Sequence, residues 1–256
     1  MNFTHKLIAL TSLTEKEIHR FFRVWPQSLF SPALKLTIYL IIFKSLFDFQ
    51  NISFNSSNYL NFVIPGLIIM GTMTSSFDNV SLSFFNAKFR RTIDDIIASP
   101  MTPTLILLGY ILGGVFRGLV FSIISIVISI LFVETEIIHP FLMFYTIITT
   151  SISFSILGLL SAYFVNDFDE LYFIPNFILV PLTLLDGVFH TVESLPLTLQ
   201  QLNHLNPISY LIDAIRFSFI EIKDINTLNF ISVTILINVL LFYCARRLFV
   251  QKLQHQ

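Results

Sequence analysis

Six stretches of this chain are long and apolar enough to cross a lipid bilayer, and that count leaves it few folds. A hydrocarbon core of about 30 Å needs roughly 20 mostly apolar helical residues. Within that core only a helix or a closed barrel satisfies its own backbone polar groups. The stretches are 29–47, 60–77, 103–132, 138–164, 171–189 and 228–242. Composition agrees: 54% of the 256 residues are hydrophobic and 12% are Asp, Glu, Lys or Arg. A soluble domain carries about 25% charged residues, so this chain cannot coat a water-facing surface. The expected fold class is all-α: a polytopic integral membrane protein with one transmembrane domain over 1–256. Its net charge of −1 gives no basic field for nucleic acid. Cys244 is the single cysteine and cannot form an intrachain disulfide. The apolar run Leu7–Leu10 is too short for the core of a cleavable signal peptide.

Positive charge sets the orientation. Lys6, Lys16, Arg20 and Arg23 precede the first span, Lys88, Arg90 and Arg91 lie between the second and third, and Arg246, Arg247 and Lys252 follow the last. The alternate loops 48–59 and 133–137 have no Lys or Arg, and 190–227 has only Arg216 and Lys223. Ten bases on one side against two on the other place both termini in the cytoplasm. The loop 165–170 has no base; parity places it inside, and its acids weigh little in this rule.

The segment 14–27 (TEKEIHRFFRVWPQ) is amphipathic, with Ile18, Phe21, Phe22 and Trp25 at helical spacing and Glu15, Lys16, Arg20 and Arg23 on the other sides. Thr14 and Glu17 have the spacing of a capping box. Such a helix suits the interface plane, either as an anchor or as a docking element for a partner. Residues 83–100 (SFFNAKFRRTIDDIIASP) repeat the pattern: Phe85, Phe89, Ile93 and Ile97 form an apolar stripe, and Arg90/Asp94 and Arg91/Asp95 pair at i, i+4. The expectation is a stiff, charged helix of about four turns, either a simple connector or a lever on the two flanking spans.

The third span holds Gly109, Gly113, Gly114 and Gly118, two small-xxx-small pairs that let another helix approach, more simply within the chain than between chains. Arg117 lies near its middle. A guanidinium there costs several kcal/mol unless it faces the protein interior or a wet cavity, so it serves either structural pairing or substrate contact. Lys35 and Lys44 in the first span can partly snorkel and carry less weight. In the fifth span, Pro175 and Pro181 remove backbone bonds, Pro181 with the greater effect, and Asp186 lies near the outer end. Residues 195–220 then read as helix, break at Asn206-Pro207, helix, with Asp213 and Arg216 at i, i+3. Too short to span, they form re-entrant outer helices, either a lid over a pathway or packing at the headgroups.

Catalytic and metal motifs are missing. No G-x-x-x-x-G-K-[ST] occurs, the histidines are scattered without an H-E-x-x-H or CxxC, and no G-x-S-x-G is present. An enzyme is therefore not expected.

The cytoplasmic segment before span 1, the loop FFNAKFRRTIDDIIASP (84–100) and the outer segment LPLTLQQLNHLNPISYLIDAIRF (195–217) together resemble the permease subunits of ABC-2-type ABC transporters, and the resemblance covers nearly the whole chain. It implies a multi-pass subunit of the bacterial inner membrane, an exporter by family analogy, paired with a second permease copy and driven by separate cytoplasmic ABC ATPase subunits. ATP and Mg would be bound by those partners, with no cofactor in this chain. The resemblance implies a coupling-helix role for Phe85, Lys88, Arg90, Arg91, Asp94 and Asp95. It implies an interface helix with Glu17, Arg20, Phe21, Arg23 and Trp25, and a second ATPase contact at Asp167, Asp169 and Glu170. Asn206, Pro207, Tyr210 and Arg216 match the family's outer helices, and with Arg117, Gly113, Gly114 and Asp186 they make the set for pathway or packing. Lys35 and Asp186 depart from the family pattern. The competing reading is a stand-alone secondary carrier or channel that uses Arg117 and Lys35 as its ion path. The substrate is not readable from these residues.

Overall fold

The structure is a computed structural model that describes residues 3–50, 56–133, 137–185, 188–189, 195–203, 206–220 and 226–254. The described residues are helical almost throughout and include no strand. In chain order they form α1 (Phe3–Arg23), a π-helical turn (Pro26–Phe30), α2 (Ser31–Gln50), α3 (Ser56–Phe89), α4 (Thr92–Ala98), α5 (Pro103–Phe132) and α6 (Pro140–Phe164). Then follow α7 (Phe168–Leu171), a second π-helical turn (Pro175–Leu179), α8 (Val180–Leu185), α9 (Leu197–Asn203), α10 (Pro207–Ile220) and α11 (Thr227–Gln254).

Six helical stretches are long and apolar enough to cross a membrane: Pro26–Ser45, Tyr59–Phe89, Pro103–Phe132, Pro140–Phe164, Phe168–Leu185 and Thr227–Gln251. Each overlaps one expected span. The ends differ most where charge interrupts the apolar run: α3 continues past Asp78 to Phe89, and α11 continues past Arg246 and Arg247.

At the centre, α3 packs along α5 and α6. Glycine permits the approach. A Cβ on Gly118 would lie 2.1 Å from Ser76 Oγ and 2.5 Å from Ser151 Oγ, and one on Gly114 would lie 2.3 Å from Ser155 Oγ. Gly158 of α6 meets backbone, with the Phe77 carbonyl oxygen 2.5 Å from the added carbon. Gly109 and Gly113 receive Leu13 and Glu17 of α1. All four glycines of the third span therefore serve packing within this chain, the simpler of the two uses open to them. Hydroxyls line the same seam. Thr72 and Ser122 are 2.6 Å apart across α3 and α5, while Ser125, Ser129, Thr150 and Ser151 donate to the carbonyl four residues earlier. Local donation of this kind satisfies a hydroxyl where no water is at hand.

Two sequence expectations about helix boundaries need correction. The amphipathic segment expected at 14–27 begins at Phe3 and ends at Arg23, so Thr14 is no cap: its Oγ1 donates to the Leu10 carbonyl at 2.9 Å. Its buried stripe is Leu13, Glu17 and Phe21, laid along Gly109, Gly113 and Phe116 of α5, while Phe22 and Trp25 are exposed. The helix expected at 83–100 is two pieces. Residues 83–89 end α3, the chain breaks at Arg90–Arg91, and α4 restarts at Thr92. Arg91 adopts φ 59° in the left-handed region, uncommon for a side-chain-bearing residue, and its N–H donates to the Lys88 carbonyl at 3.1 Å. The pairs Arg90/Asp94 and Arg91/Asp95 thus do not lie on one continuous helix.

The π-helical turns share a cause. Pro26 and Pro32 have the same spacing as Pro175 and Pro181. The second proline of each pair has no N–H, and its ring crowds the carbonyl four residues back. A wider i→i+5 turn ahead of it relieves the crowding: the Ser31 N–H reaches the Pro26 oxygen, and the Val180 N–H reaches that of Pro175. The fifth span is irregular as expected, but over Pro175–Leu179 and not around Pro181 alone. The first span carries a matching turn that its sequence was not expected to form.

Candidate functional site

The residues expected to meet a cytoplasmic partner gather at one end of the bundle. Phe85 and Phe89 close on Phe168, with ring centroids 4.7 and 5.3 Å away. This joins the end of α3 to the start of α7. Lys88 strengthens the joint by donating to the carbonyls of Tyr163 (3.1 Å) and Val165 at the C-terminus of α6, where a cation complements the helix dipole. Ile93 of α4 is buried, and Arg90, Arg91, Asp94 and Asp95 face outward. Asp167, Asp169 and Glu170 are also exposed beside Phe168, with Glu170 accepting from the Asn166 N–H at 3.0 Å. Two loops separated in sequence thus present one charged surface over an aromatic joint.

Beneath this end lies a buried polar cluster. Glu17 is 1% exposed and accepts from Ser83 Oγ at 2.8 Å and from Arg20 Nε at 3.2 Å. Arg20 extends to α3, donating to the carbonyl and side-chain oxygens of Asn79 at 2.9 and 2.8 Å. Arg117 of α5 is buried, as expected of a cation at that depth. Asp78 supplies its favourable charge and Arg20 an opposing one. Arg117 Nε, Asn79 Nδ2 and the Tyr110 hydroxyl have no hydrogen-bond partner among the described residues. Glu17 and Arg20 therefore bind α1 to α3 through Ser83 and Asn79, with donors to spare beside them. Of the interface-helix residues, Arg23 and Trp25 lie outside this cluster and are exposed.

The remaining candidates sit at the opposite end of α3. Arg216 of α10 is buried, its guanidinium 3.8 Å from the Phe62 ring centroid, and it donates to the carbonyls of Phe62 (3.3 Å) and Val188 (3.4 Å). Asn206 fastens α8 to α10: its Nδ2 donates to the Leu182 carbonyl at 2.9 Å and its Oδ1 accepts from the Ile208 N–H at 3.1 Å. Pro207 opens α10, and Tyr210 is exposed on it. Arg216 lies beside Gly66 of α3, while Gly118, next to Arg117, meets Ser76 and Gly114 meets Val80, about 15–20 Å further along the helix, so Arg117, Gly113 and Gly114 form no single site with Asn206, Pro207, Tyr210 and Arg216. Asp186 lies outside the described residues. Between α6, α10 and α11 is a mostly apolar cleft of about 720 Å³, lined by Phe154, Leu211 and Val233 and by the polar Tyr210, Asp213 and Asn229. Its dimensions and lining suit an alkyl chain.

Sequence reasoning missed Asp78, Asn79, Ser83, Tyr110 and Phe168. Asp78-Asn79 did carry a signal: an acid and an amide inside an apolar run that resumes after them. Ending the second span at 77 put them out of view. Phe168, between two acids in a short loop, looked like solvent-facing chain.

Comparison with known proteins follows the same outline. The profile of the ABC-2 type transporter family matches residues 8–220. The chain is 40% identical over 218 residues to the inner membrane transport permease YadH of Escherichia coli K12, covering 85% of each chain. It is 26% identical over 165 residues to the probable multidrug ABC transporter permease YbhR of the same organism, covering 64% of this chain and 45% of that one. Nodulation protein J of Neorhizobium galegae is 24% identical over 160 residues, covering 62% and 61%.

Proposed function

This chain belongs to the ABC-2 type transporter family, and from that premise we propose that it is the membrane-spanning subunit of an ATP-driven exporter in the bacterial inner membrane. It works as a homodimer with two separate cytoplasmic ATPase subunits, which bind ATP and Mg. The observation that supports this most is the joint of Phe85 and Phe89 with Phe168, which unites the charges of α4 and α7 into one docking surface. A partner seated on both loops pushes on α3, α5 and α6 together. It biases the permease between inward- and outward-open states only through contacts that differ in the two, and Arg90, Arg91, Asp94, Asp95, Asp167, Asp169 and Glu170 supply them. The Glu17–Arg20 cluster carries the same push to α1.

The test is the doubly substituted Arg91→Glu, Asp95→Lys protein in complex with the ATPase that co-purifies with wild type. Both side chains are exposed, so the fold holds. Coupled ATP hydrolysis and transport are expected to fall sharply. Wild-type rates of both would end the docking reading.

A further inference from the structure

Lys35 is the one strongly basic side chain that the structure leaves exposed in the middle of a span among the described residues. The first span runs Pro26–Ser45, earlier than its sequence suggested, and Lys35 is close to its centre. At about 1.5 Å per residue it stands roughly 14 Å from either end, too deep for its stem to lift the ammonium to the headgroups. The described residues offer it no hydrogen bond or ion pair; its ammonium lies 5.9 Å from the Tyr39 ring centroid, the outer limit of a cation–π contact. Around it the same face of α2 is apolar, with Leu34, Ile38 and Ile42 each about half exposed. Tyr39 in turn packs edge-on to Phe189, with centroids 6.0 Å apart, so this edge of α2 borders the chain that follows α8.

A charge at that depth faces protein or water, not lipid tails. A second copy packed on this face about a two-fold axis would set its own equivalent lysine opposite. Like charges cannot satisfy one another, but an anion between them satisfies both. From this geometry we propose that the Lys35 face of α2 lines the transport pathway and binds the anionic head of an amphiphile, whose alkyl part rests on Leu34, Ile38 and Ile42. The substrate class is thus an anionic amphiphile, such as an alkyl phosphate ester. This rests on the reading of the chain as a pathway-forming permease but needs no ATPase.

Two measurements on the full chain test it. In the first, Lys35→Cys is placed in a Cys244→Ser background, because Cys244 is exposed, and treated in proteoliposomes with a charged thiol reagent. Cys at 35 is expected to react while Ile123→Cys, exposed on α5, does not. Equal protection of both positions overturns the proposal. In the second, dodecyl phosphate is titrated into protein in phosphatidylcholine nanodiscs, with dodecyl maltoside and dodecyltrimethylammonium as controls of equal chain length. Wild type and Lys35→Arg are expected to bind the phosphate, and Lys35→Met to bind it about tenfold more weakly. Equal binding by Lys35→Met, or equal binding of all three amphiphiles, overturns it. Repeating the titration with phosphatidylglycerol present separates the two sources of such a head: absence of competition is expected for a carried ligand, and competition assigns the face to a bilayer lipid and overturns the substrate reading. Failure of the ATPase-coupling test would leave both measurements unchanged, so the two readings fail separately.

Discussion

Ser83 donates a 2.8 Å hydrogen bond to Glu17 from a helix that begins 33 residues after the first one ends. The carboxylate is fully enclosed, and its other oxygen holds Arg20 at 3.1 Å. Removing it by Glu17→Ala leaves Ser83 without this acceptor and a partly exposed guanidinium held only by Asn79. The expected loss is about 2 kcal/mol, below that for a fully buried pair because Arg20 keeps access to solvent. Glu17→Gln retains the Ser83 bond and loses about half as much. Thermal unfolding in detergent reads the cost, and protease cleavage within α1 reads its release. Unchanged melting together with an uncut α1 would show that the pair does not hold the helix.

The glycines give a graded series. Gly158→Ala drives a carbon to 2.5 Å from the Phe77 carbonyl, which is backbone and cannot swing aside. Gly66→Ala meets the Val188 side chain at 3.1 Å, which a small shift relieves. Overpacking costs about 1–3 kcal/mol, so Gly158→Ala should melt well below wild type and Gly66→Ala close to it. The reverse order would mean that α3 and α6 do not approach at this point.

Phe168→Ala removes the ring that joins α3 to α7. Each aromatic contact contributes about 0.5–1.5 kcal/mol beyond burial, and the span core does not depend on it. Melting should change little, while the yield of co-purified ATPase falls several-fold. A normal yield would detach α7 from the docking surface.

Lys88→Met tests the cap on α6. Loss of donation to Tyr163 and Val165 costs about 1–2 kcal/mol, and hydrogen exchange in the last turn of α6 should quicken. Unaltered exchange there would mean that the carbonyls have other donors.

Much of the architecture was legible because hydropathy and length report membrane spans directly: the runs around Leu60–Phe77 and Pro103–Phe132 could be little else. What the sequence hid was where apolar and charged stretches share one helix. Asp78 lies within α3, and Glu17 points inward from a helix that looked charged on that side, because each finds its partner on another element. The pairs Arg90/Asp94 and Arg91/Asp95 were right in spacing but crossed a left-handed residue at Arg91, which no periodicity reveals. Phe168 became meaningful only when folding brought Phe85 to it.

The turn at Pro26–Phe30 has a geometric consequence for everything after it. An i→i+5 turn behaves as a helical turn with one residue inserted, and one residue is worth about 100° of rotation about the axis. The wider turn absorbs that rotation, so the phase of α2, and with it the compass bearing of Lys35, is that of a regular helix one residue shorter. Deleting a single residue within the turn would close it to a regular helix and leave Lys35 on the same side, with the span's length nearly intact.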